Sequence, residues 1–171
     1  MLFRSEHSTY EQALQIAVSA GDSLMLGRVY GALGRFYETR DADRAFAFYQ
    51  DCTDQLWRSS VSAEGPTGQS DHAAPHSAHH LALIDEYVVV LVRLGWSYAL
   101  RNDPRSKTSL DHAQLLRSRF ELSLDTAAML EQTWGEYWRR AGDLSRAIEY
   151  KHRALNLYER SEERRVGKEC A

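Results

Sequence analysis

The segment Trp134-Gly135-Glu136-Tyr137-Trp138 sets a large apolar residue before a glycine and an aromatic residue three positions after it. Leu33-Gly34-Arg35-Phe36-Tyr37 and Leu94-Gly95-Trp96-Ser97-Tyr98 repeat the pattern. The glycines stand 61 and 40 residues apart. Between the first two lies the stretch from Ser59 to Ser77, SSVSAEGPTGQSDHAAPHS, rich in Ser, Gly, Pro and His and without apolar period. It reads as a flexible inserted loop. Discounting about 20 residues of insertion brings the two intervals together, which makes the chain an array of repeats of roughly 40 residues.

Outward from the glycines, apolar residues recur at helical spacing. Ala42, Ala45, Phe46, Tyr49, Cys52 and Leu56 form one stripe, and Tyr10, Ala13, Leu14 and Ala17 open another. Leu144, Ala147, Ile148, Ala154, Leu155 and Tyr158 form a third, which Lys151 interrupts. Such spacing gives one apolar face per helix. The joints carry helix-end chemistry. Gly21-Asp22 and Gly142-Asp143 each pair a glycine that tolerates left-handed backbone with an Asp able to cap the next helix. Asn102-Asp103-Pro104 offers a cap followed by proline, and Asp41 or Asp43 serves the remaining joint. The pattern predicts seven helices, at about 7–20, 22–39, 42–58, 78–101, 104–121, 124–141 and 144–160. Val88 to Val92 is the one stretch with strand character, but it has no partner strand to satisfy its backbone, so a helix is expected there too.

Bulk properties narrow the function classes. The chain has 171 residues, 43% hydrophobic and 26% charged, which suits one domain with a continuous core. The net charge of −3 gives no surplus of cations for a phosphate backbone, so nucleic acid is not an expected direct partner. The most apolar run, Tyr87 to Val92, is far shorter than the about 20 residues that span a bilayer. Two distant cysteines, Cys52 and Cys170, make no disulfide framework and suggest a reducing cytoplasm.

These residues together resemble the tetratricopeptide repeats, which pair two antiparallel helices per repeat. Their marks are a Leu-Gly pair, an aromatic, a Gly-Asp turn and small residues spaced around a second aromatic. Trp134-Gly135, Trp138, Gly142-Asp143, Ala147, Tyr150 and Ala154 form the nearest match. Tyr30, Leu33-Gly34, Tyr37, Asp41, Ala45 and Tyr49 follow, with an interhelical turn one residue short. Leu91, Leu94-Gly95, Tyr98 and Ala113 form the most divergent copy. The resemblance implies an all-α domain over 1–160: a right-handed superhelical solenoid of antiparallel helix pairs, about three and a half repeats long, with the flexible loop at 59–77. The polar tail, 161–171, lacks any apolar stripe. It reads equally as a disordered, non-native extension and as the frayed end of the last helix.

No catalytic motif is present: HExxH, GxSxG and the phosphate-binding GxxxxGK[ST] are all missing, and neither cysteine belongs to a CxxC. His72, His76, His79 and His80 cluster near the loop, but a Ser/Gly-rich segment has no scaffold to fix ligand geometry, so neither a metal nor a cofactor is expected. What remains is a binding surface. The first helix of each tetratricopeptide repeat lines a concave groove. Counted from the Leu-Gly pairs, the groove positions here are Arg28, Arg35 and Glu38, then Val92 and Trp96, then Gln132, Glu136, Arg139 and Arg140. Arginines with an aromatic between them suit a protein or peptide segment bearing acidic and apolar groups. The expectation is a non-catalytic interaction scaffold within a larger regulatory protein. The alternative is a regulatory domain that senses a small molecule or signalling peptide in the same groove.

Overall fold

The computed structural model describes residues 2–63 and 78–169. Among these residues it forms seven α-helices and no strand: α1 (Leu2–Ala20), α2 (Ser23–Tyr37), α3 (Ala42–Ala63), α4 (Ala78–Leu100), α5 (Arg105–Arg119), α6 (Leu124–Arg140) and α7 (Leu144–Glu169). None of these helices is long and apolar enough to cross a membrane. The all-α expectation holds, and Val88 to Val92 lies within α4.

Three boundaries differ from expectation, the first at α1, which begins at Leu2 instead of about residue 7. The loop expected from Ser59 is helical as far as Ala63, because Ser59-Ser60-Val61-Ser62-Ala63 contains no glycine or proline to stop α3. The rest of that loop lies outside the described residues. The tail from 161, read equally as a disordered extension and as the frayed end of the last helix, is helical through Glu169. No proline stands in its way, and Arg165 pairs with Glu162 one turn back at 3.3 Å.

The chain divides into two compact units, Met1–Leu83 and Ile84–Ala171. In the first, α2 and α3 pack antiparallel along a row of glycines. A Cβ placed on Gly34 would lie 2.5 Å from Tyr49 Cε1, one on Gly31 3.2 Å from Cys52 Sγ, and one on Gly27 2.8 Å from Leu56 Cδ2. Each glycine opens a recess one side chain deep, and α3 fills all three. Tyr49, Cys52 and Leu56 are accordingly buried. α1 packs on α2, with Tyr10 edge-on to Phe36 at 5.5 Å between ring centres. At the joints, Gly21 takes φ +64° and the Asp22 carboxylate accepts from Met25 N–H at 3.0 Å. Asp41, not Asp43, receives the Arg44 N–H at 3.1 Å.

The second unit holds two hairpins. In the first, Gly95 lets α4 approach α5: its Cβ would lie 3.0 Å from Leu110 Cδ2, and Ser106 Oγ donates to the Gly95 carbonyl at 2.8 Å. At the α4–α5 joint Asn102 adopts φ +53°, the backbone that glycine supplies at Gly21 and Gly142. Asp103, rather than Asn102, receives the Arg105 N–H at 2.9 Å. In the second hairpin, Gly135 meets α7, where a Cβ would sit 3.1 Å from Lys151 Cγ and 3.2 Å from the Ala147 carbonyl oxygen. Trp134 stacks on Tyr150 at 5.9 Å. The Asp85 carboxylate of α4 accepts from Ser123 N–H at 2.8 Å and Thr126 Oγ1 at 2.8 Å, which fixes the start of α6. Arg117 of α5 pairs with the buried Glu131 of α6.

All three motif glycines thus stand where one helix touches the next. The stripe on α7 does not behave as a single buried face. Ala147 and Ala154 are buried at 5% and 2% exposure, whereas Leu144, Ile148 and Leu155 are 63%, 60% and 53% exposed. With a glycine at only one point of the contact, α6 leaves room for alanines and turns the larger side chains away.

Candidate functional site

The expected groove positions fall in both units, and each set is described by itself. In the first unit Arg28, Arg35 and Glu38 are exposed. Arg28 and Arg35 project from α2 two turns apart. Glu38 forms the C-cap of α2 and accepts a hydrogen bond from the hydroxyl of buried Tyr49. It therefore anchors the α2–α3 contact.

In the second unit, four of the six expected residues meet. The Arg140 guanidinium lies over the Trp96 ring, 5.3 Å from its centre, in cation–π geometry. Arg140 Nε is 3.7 Å from Glu136 Oε1, and Arg139 Nε donates to both Glu136 oxygens at 2.9 Å. Lys151 Nζ, from α7, stands 3.9 Å from Glu136 Oε2. One carboxylate thus orients three cations. Hydrogen bonds from Arg139, with weaker attraction from Lys151 and Arg140, hold the Glu136 carboxyl below its usual range, so it stays charged and keeps the arginines in place. Trp96 is half-buried, as a residue serving both packing and contact would be.

The other two expected residues behave differently. Val92 is 2% exposed and belongs to the core, so its assignment to a groove wall is corrected. Counting from the Leu-Gly pair places it one turn before Trp96, but a β-branched aliphatic on a helix buried along this face becomes packing. Gln132 is exposed and its side-chain carbonyl accepts from the Tyr158 hydroxyl at 3.0 Å, which links it to α7.

Sequence reasoning missed the surface next to this cluster. A cleft of about 400 Å³ runs along α6 and α7, with Gly135 and Arg139 on one side and Leu144, Ile148, Lys151 and Leu155 on the other. The interruption of the stripe by Lys151 was the available signal, since a lysine seldom interrupts a face that is wholly buried. Of the histidine cluster, His72 and His76, together with the side chains of His79 and His80, lie outside the described residues. Among the described residues, no group of three or more His, Cys, Asp and Glu is placed to hold a metal ion. No family model, curated protein or solved structure matches the chain, so the geometry of this arginine–tryptophan cluster and its cleft is the ground on which a function can be argued.

Proposed function

We propose that the chain is a tetratricopeptide-type module that binds a segment of another protein and performs no chemistry of its own, as part of a larger cytoplasmic regulator. The observation that carries this reading is the meeting of Trp96, Glu136, Arg139 and Arg140 at one partly exposed place. Tryptophan and arginine contribute most to interface energy when they are oriented before the partner arrives, and each of these side chains is held by a neighbour. The three phased glycine contacts support the repeat assignment, because the family pattern requires a close helix approach at those positions.

The sensor reading is favoured by one feature, the cleft on α6 and α7, whose volume is within the usual range for small ligands. Its wall, however, is a row of exposed side chains along one helix, a shape suited to an elongated partner. The test is the double variant Trp96→Ala, Arg139→Glu. It should lose partner capture while keeping the helical signal and the melting temperature. Unfolding by Trp96→Ala alone would place Trp96 in the core, and a folded double variant that still captures every partner would end the groove reading. A small molecule released on denaturing the purified protein, and identified by mass spectrometry, would favour the sensor.

A further inference from the structure

The exposed residues of α7 follow a second rule of spacing. Leu144, Ile148, Lys151, Leu155 and Tyr158 are separated by four, three, four and three residues. That is the heptad seam with which one helix meets another, whereas a helix lying on a broad core shows a wider stripe. The seam is about 21 Å long at 1.5 Å per residue. It ends after Tyr158, since the next two heptad positions hold Glu162 and Arg165, which pair with each other. Gly135 and Arg139 of α6 form the opposite wall of the cleft, so an occupant would lie between the two helices.

The central position selects the occupant. Lys151 interrupts the apolar row, and Arg139 and His152 also line the cleft. The nearest carboxylate, Glu136, accepts three hydrogen bonds from Arg139 and stands 3.9 Å from Lys151 Nζ, so these cations share one negative charge. A second copy of this chain is a poor fit. An antiparallel pairing, in which alternate heptad positions meet, sets Lys151 against Ile148 or Leu155 of the other copy, where it gains no carboxylate, and a parallel one sets Lys151 against Lys151. Like charges facing each other in a seam reject that pairing.

From this seam and its charge we infer that the α6–α7 cleft docks an amphipathic helix of a partner protein, about four turns long, with a heptad apolar face and a Glu or Asp opposite Lys151. The inference rests on the interaction reading above and adds the conformation and chemistry of the bound segment.

The full chain is titrated with two synthetic helical peptides of about 20 residues. Both carry leucine at the seam positions, and they differ only in Glu or Lys at the central one. The Glu peptide should bind, and the Lys peptide at least roughly tenfold more weakly. Lys151→Glu should reverse that order, and Ile148→Asp should abolish binding of both. Ile148 is exposed, so the helical signal should be unchanged. Equal affinity for the two peptides, no binding of either, or no reversal by Lys151→Glu overturns the inference. So does a dimer of the wild-type chain that Ile148→Asp dissociates, because a second copy would then own the cleft. Loss of partner capture by the Trp96→Ala, Arg139→Glu variant with no peptide binding would leave the interaction reading standing without this one. Charge-selective peptide binding with capture untouched by that variant would do the reverse.

Discussion

Superimposed on their motif glycines, the hairpins α2–α3 and α6–α7 distribute volume in opposite ways. On α2 the contact face reads Gly27, Gly31 and Gly34, and α3 answers with Leu56, Cys52 and Tyr49. On α6 the corresponding positions hold Ala128, Gln132 and Gly135; the Lys151 stem of α7 lies against Gly135, and the Tyr158 hydroxyl donates to Gln132. Three recesses in a row draw large side chains inward. A single recess admits only the stem of a lysine, and the neighbouring contacts fall to alanine. The same family-like motif therefore yields one hairpin that uses its bulk to hold itself together, and one that presents its bulk to the outside.

The comparison breaks most easily at Tyr49. It is fully buried against Gly34, and Tyr49→Ala should cost about 3–5 kcal/mol, as other core aromatics do. A denaturant titration showing a loss below about 1 kcal/mol would mean that the α2 recesses are not filled as described.

The glycines give the next test. Gly34→Ala should cost about 1–3 kcal/mol, because a Cβ 2.5 Å from a buried ring forces that ring to move. Gly135→Ala should cost distinctly less, since the nearest atom belongs to the flexible stem of Lys151, with the Ala147 carbonyl as the remaining obstacle. Equal shifts in melting temperature would remove the distinction between the hairpins.

A smaller effect is expected on the exposed side of α7. Ile148→Ser and Leu155→Ser should each change stability by no more than about 0.5 kcal/mol, as surface substitutions do. Leu56→Ser on α3 should be far costlier, because it puts a hydroxyl in a recess that Gly27 shapes for a leucine. A large loss from Ile148→Ser would show that the face is already occupied.

The smallest effect is a pH dependence in the second unit. Burial holds the His112 imidazole below its usual value of 6.5, with Tyr87 edge-on at 5.7 Å. The unfolded chain takes up that proton first, so the contribution is fully present above 6.5 and declines as pH falls from there toward the folded-state value. His112→Gln should flatten this part of the stability profile below about pH 6.5. An unchanged slope would assign it to other groups.

These contrasts also mark what the sequence could convey. The glycine spacing, the Gly-Asp joints and the helical periods located seven helices to within a few residues, because each is a local signal written in adjacent positions. The ends of α3 and α7 were missed for the opposite reason: polar residues without Gly or Pro neither demand a helix nor stop one. Of the proposed contacts, the meeting of Trp96 with Arg140 depends on two helices that are distant in sequence, and only the placement of Arg139 and Arg140 near Glu136 could be read from one helix. Val92 was misassigned because counting along a repeat gives a direction but not the amount of cover above it. The α7 seam was visible as letters. Which of its two faces turned inward depended on how few glycines α6 carries.

Cys52 adds one consequence of the glycine row. Its sulfur rests against Gly31, in the middle of the α2–α3 contact, and is 1% exposed. A thiol reagent can reach it only when those two helices part, since a covered sulfur cannot be attacked. The alkylation rate of Cys52, read separately from that of Cys170 by mass mapping of the labelled peptides, therefore serves as a clock for opening of the first hairpin alone.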